Sequence, residues 1–156
     1  MDGRQVIMKF TRTLHSLKDT EYMAYSLASY LFPGFVVGLS GDLGAGKTTF
    51  TQYLAKAMGI DDIVNSPTFT IMKTYGHDLP LYHIDAYRLE GTNEDFELEE
   101  YISGDGVAVV EWYPHIEMFM PSEYLAISFT WAGEEKRHCV IEGRGPYEDI
   151  AKILGA

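Results

Sequence analysis

Gly41, Gly46, Lys47 and Thr48 stand at the spacing Gly-x-x-x-x-Gly-Lys-Thr within "GDLGAGKTTF", residues 41–50. That pattern is a phosphate-binding loop, and generic residue frequencies would produce it in roughly one chain in two hundred of this length. Glycines let such a loop turn its amide N–H groups toward a phosphate, and the helix that follows adds the positive end of its dipole. Lys47 has the reach and charge for β- and γ-phosphates, and the Thr48 hydroxyl can hold Mg²⁺. The candidate nucleotide cradle is therefore Gly41, Asp42, Leu43, Gly44, Ala45, Gly46, Lys47, Thr48 and Thr49.

Chemistry on a bound phosphate also needs carboxylates beyond the loop. Asp85 ends the apolar run Leu81-Tyr82-His83-Ile84, and Glu111 ends Val107 to Val110 in the same way. Acids at the ends of two buried strands face the crevice that holds the phosphates, where one can bind the metal and the other can position water. Alternatively, either one caps its strand or pairs with Arg88. "SPTFT" (66–70) reads either as an ordinary turn or as a loop sensitive to the γ-phosphate, with Ser66 and Thr68 as its candidate contacts. His83 has no second histidine at ligand spacing, so it is expected to be packed or hydrogen-bonded near the site. Trp112 either lines the crevice or joins the core.

The elements that must position these residues can be read from periodicity. "VIMKFT" (6–11) is a strand candidate, followed by a helix capped near Ser16 or Asp19 with Met23, Leu27 and Leu31 on one face. Phe35 to Leu39 is a short apolar run of the kind buried on both faces of a sheet. "KTTFTQYLAKAMG" predicts a helix with Phe50, Leu54 and Met58 in a stripe and Gly59 closing its end. Residues 65–75 predict a turn and an extended segment, "LPLYHIDAYRL" a strand, "GTNEDFELEEY" a short helix, and "GVAVVEW" another buried strand. "YLAISFTWAG" and "RHCVIEGRG" alternate like an antiparallel hairpin in a β-rich tail. The order predicts an α/β three-layer sandwich around a mostly parallel central sheet with antiparallel marginal strands.

A chain of 156 residues suits one domain, here residues 1–156, with one sizeable core. Twenty-three acidic residues against 12 Lys+Arg give a net charge of -11. Such a surface repels a phosphate backbone, so any work near RNA needs a partner with a basic surface; acidity for solubility alone is the other reading. The single cysteine, Cys139, excludes an intrachain disulfide and a thiolate metal cluster. With no leader-like N-terminus and no run long enough to span a membrane, a cytoplasmic location is expected.

Competing uses of the phosphate leave other marks. A small GTPase would carry Asn-Lys-x-Asp, which does not occur. A small-molecule kinase, the alternative enzyme, would bring a lid with arginines, and the five present (Arg4, Arg12, Arg88, Arg137 and Arg144) do not cluster in one. A third reading is a switch that binds ATP without needing to hydrolyse it. Without an arginine finger, hydrolysis is expected to be slow until a partner stimulates it.

Taken together, "LSGDLGAGKTTF" (39–50), "VNSPTFTI" (64–71), "LYHIDAYRL" (81–89) and "VVEW" (109–112) resemble the TsaE family, the ATPases of bacterial threonylcarbamoyladenosine biosynthesis on tRNA. The resemblance runs from the first helix to about Trp112; beyond Pro114 it is one of length and strand pattern. It implies a P-loop fold, ATP and Mg²⁺ as ligands, Thr48 and Glu111 near the metal, and Asp85 near the hydrolytic water, with the division between the two acids open. It also implies TsaB and TsaD as partners, with tRNA met only through their complex. Adenine contacts are not legible; Thr13 to Leu17, before the first helix, are the candidates by position.

Overall fold

Apolar side chains leave the central strands on alternate sides and divide the interior into two cores. A computed structural model describes residues 7–42, 44–65, 72–87, 101–102 and 104–156. Its elements run β1 (Met8–Leu14), α1 (Leu17–Ala28), β2 (Val36–Gly41), α2 (Lys47–Ala57), β3 (Met72–Tyr75) and β4 (Leu81–Asp85). They continue with β5 (Val107–Glu111), β6 (Leu125–Trp131), β7 (Arg137–Gly143) and α3 (Glu148–Leu154). Short 3-10 turns occupy Tyr113–Phe119 and Gly145–Tyr147. Leu43, Ser66, Thr68, Arg88 and most of the stretch expected to form a short acidic helix lie outside the described residues.

The seven strands form one sheet in the order β1-β7-β6-β2-β5-β4-β3. Pairings β6–β2, β2–β5 and β5–β4 are parallel, while β3–β4, β6–β7 and β7–β1 are antiparallel. This is the mostly parallel sheet with antiparallel margins that the pattern predicts. The β6–β7 hairpin forms as expected, and it continues the sheet because β6 lies parallel to β2.

Val37, Leu39, Val107, Val109, Ile127 and Phe129 face α1 and α2 and pack against Met23, Leu27, Phe50 and Leu54. Val36, Ala108, Val110 and Ile84 face the other way, toward Ile102 and Ile116. The central strands are buried on both faces, which is why they read as continuous apolar runs. Ser16 caps α1: its hydroxyl accepts the Asp19 amide at 3.4 Å, and Asp19 takes the His15 amide in return at 2.8 Å. Leu31 lies beyond the end of that helix. At the end of α2 the Ile60 amide returns to the Ala55 carbonyl around Gly59, the closure the sequence predicts.

Helix α3 was not among the sequence expectations. Ile150, Ala151 and Leu154 bury one side of it against β7 and β1. With seven residues it makes two turns, too short for a period to stand out from a β-rich tail.

Candidate functional site

Strand β2 delivers the chain to the loop, and α2 carries it away. Gly41 ends β2 at φ 137°, with its Cα against the Phe129 carbonyl of β6, so any Cβ would strike backbone. Gly46 enters α2 at φ 114° and offers no side chain to cap it. No acidic residue occupies the first turn either, so the leading amides of α2 are left for an outside anion.

Lys47 is 5% exposed and folds back on the loop. Its ammonium donates to the Gly41 carbonyl and, at 3.0 Å, to that of Asp42. The same Nζ lies 4.3 Å from the centre of the Trp112 ring. Burial pushes its pKa below the ordinary lysine value, while Glu111, Asp42 and Asp85 pull the other way.

Because β4 and β5 are parallel neighbours, Asp85 and Glu111 pair in register at the same edge of the sheet. β5 also borders β2, so this edge is beside the loop. Glu111 is 3% exposed and its Oε1 accepts the Thr48 hydroxyl at 3.2 Å. His83, fully buried, meets the other carboxylate oxygen through Nε2. Asp85 takes the Tyr87 amide at 3.0 Å and keeps one side open to solvent. Gly44, Gly46, Lys47, Thr48, Thr49, Asp85, Glu111 and Trp112 together line a crevice of about 250 Å³.

Trp112 does both things the sequence offered as alternatives: it lines the crevice and packs against the second core. Its backbone is left-handed at φ 61°, a strained setting for a bulky residue. The turn presents the indole to Lys47 and sets it edge-on to Tyr87 and tilted against His115, at 5.0 and 5.5 Å between ring centres.

Arg137 braces the loop from β7, and sequence reasoning missed it. Its guanidinium donates to the Ala45 carbonyl at 2.9 Å and to the Gly44 carbonyl at 3.3 Å. Those partners lie 92 and 93 positions away in the chain, so no local signal pointed to them. Leu17 and Thr20 of α1 join Thr49, Phe129 and Arg137 around a small cavity behind Gly44 and Gly46. Of the stretch proposed for adenine, Leu17 thus reaches the loop, while Thr13 is occupied with His138 at 3.0 Å.

Divalent magnesium suits the donor set. A threonine hydroxyl and a carboxylate oxygen already meet where a cation would separate them, and both are hard oxygen donors. Among the described residues no group of three or more His, Cys, Asp or Glu could hold a metal alone. A cation here would complete its shell with water and phosphate oxygens, as Mg²⁺ characteristically does.

Comparison with known proteins shows the family and the fold. A family model described as "Threonylcarbamoyl adenosine biosynthesis protein TsaE" matches residues 14–139, which carries the likeness past Trp112 into β7. A Bacillus subtilis (strain 168) protein named tRNA threonylcarbamoyladenosine biosynthesis protein TsaE is 48% identical over 139 residues, 88% of each chain. Its namesake in Treponema pallidum (strain Nichols) is 35% identical over 81% of this chain and 95% of the relative. The crystal structure of Bacillus subtilis YdiB matches with a TM-score of 0.80 and 37% identity, over 97% of each chain.

Proposed function

Because this chain belongs to the TsaE family of threonylcarbamoyl adenosine biosynthesis proteins, we propose that it is an Mg²⁺-dependent ATPase serving that tRNA modification. The observation that carries this reading is the hydrogen bond from Thr48 to Glu111. It brings the loop hydroxyl and a strand-end carboxylate to one point, beside a buried lysine and an uncapped helix N-terminus.

Gly44 to Thr49 cradle the phosphates through their amides, and Lys47 exchanges the Gly41 and Asp42 carbonyls for β- and γ-phosphate oxygens. Thr48 and Glu111 hold Mg²⁺, which when bound neutralises charge on the phosphates. Asp85, next to Glu111 and partly open to solvent, orients the attacking water. The nucleoside half of ATP extends past Thr49 toward Leu17 and Thr20. Ser66 and Thr68 respond to the γ-phosphate.

Hydrolysis is slow in the isolated chain. Among the described arginines, Arg12 donates to the Leu154 carbonyl and Arg137 to the loop backbone, while Arg144 lies near Tyr124. None lines the crevice to meet transition-state charge. The partners are TsaB and TsaD, which hold the tRNA and stimulate turnover in the cytoplasm, and the whole chain acts as one domain.

Reconstitution with TsaB, TsaD, tRNA and threonylcarbamoyl-adenylate tests this. Repeated turnover should require both this chain and ATP; turnover unchanged when either is omitted overturns the reading.

A further inference from the structure

The two oxygens of Glu111 have different partners. Oε1 accepts the Thr48 hydroxyl at 3.2 Å, and Oε2 meets Nε2 of His83. His83 is 0% exposed, and among the described residues its Nδ1 has no hydrogen-bond partner. A buried N–H without an acceptor is harder to tolerate than a buried lone pair, so the ring proton belongs on Nε2, aimed at the carboxylate.

Strand geometry builds this contact. His83 and Asp85 are two residues apart on β4 and project from the same face. Asp85 pairs in register with Glu111, and His83 with Val109. Asp85 therefore stands at the rim of the crevice, and His83 lies one pleat deeper, beneath Glu111. A carboxylate held at one oxygen still swings about its terminal bond; donors on both oxygens fix its plane.

We propose that His83 is a positioning residue whose Nε2–H holds the inner oxygen of Glu111, so that the outer oxygen faces Thr48 and the cation bound with the phosphates. This role rests on the crevice being an Mg²⁺–ATP site. Hydrogen bonds of this kind to a ligating carboxylate typically change metal affinity by about 10–100-fold when removed. The phosphate contacts of the loop do not pass through His83, so its effect is confined to the metal.

The test compares H83F, H83N and H83Q with the wild-type chain. Glutamine carries an N–H donor to about the place of the imidazole Nε2, whereas asparagine is too short and phenylalanine has none. Affinity for a non-hydrolysable ATP analogue is measured in EDTA and then across Mg²⁺ concentrations. H83F and H83N should require about tenfold more Mg²⁺ for half of the gain in affinity, and H83Q should stay near wild type. Affinity in EDTA should be the same in all four, which also reports an intact loop. If H83F does not fold, H83N decides the question. A wild-type-like Mg²⁺ response in H83F or H83N overturns the positioning role alone, as does an H83Q no better than H83F. A wild-type affinity indifferent to Mg²⁺ overturns the ATP reading and this role with it.

Discussion

Lys47 turns its charge toward the protein's own groups. Two backbone carbonyls and the face of Trp112 surround an ammonium that burial disfavours. These are weak partners compared with a triphosphate, and all of them lie within a side chain's swing of the crevice. Lys47→Ala should therefore lower ATP affinity or turnover about a hundredfold, in keeping with loss of a preorganised cationic contact. Equilibrium binding of ATP and a steady-state ATPase assay would check it, and unchanged values would contradict the phosphate-loop chemistry. Cys139 behaves differently: it is 1% exposed and burial pushes its thiol up to about 12, so it is an inert core residue.

At the scale of elements, the site depends on β2 being held between β5 and β6. The first pairing of β2 with β6 is Val37 with Leu125, so the Val36 amide lies just outside that ladder. The hydroxyl of Tyr147, at the start of α3, accepts it at 3.1 Å, and the Tyr147 ring packs edge-on against Phe35. Tyr147→Phe keeps the ring and leaves a buried amide without its partner. We expect a loss of about 1–2 kcal/mol, read from the urea midpoint of unfolding at constant slope. An unchanged midpoint would mean that another acceptor takes over. Helices α1 and α2 were legible because each repeats its period over several residues, and the buried strands because each is an unbroken apolar run. The junction of Tyr147 with β2 was not, since 111 positions separate the two groups and neither carries a local mark of the other.

The whole molecule is acidic, with a net charge of -11, although its site is built for an anion. A lone lysine and a helix terminus suffice for a triphosphate at close range, but they cannot offset a surface that repels a polyanion. In a gel-shift or filter assay at about 50 mM salt, tRNA should not bind this chain alone and should be retained once TsaB and TsaD are added. Tight, salt-sensitive binding of tRNA by the isolated chain would contradict the assignment of tRNA contact to the partners. Residues 41–49 could be proposed from the chain alone because the phosphate-loop pattern lies in consecutive residues, and Asp85 and Glu111 because each ends an apolar run. Which groups meet was decided by strand order. Placing β5 between β2 and β4 brings Thr48 to Glu111 across 63 positions and puts His83 beneath it. Running β6 beside β2 lets Arg137 reach back to the loop. Local periodicity carries no information about which strands become neighbours; that follows from burying both faces of one sheet at once.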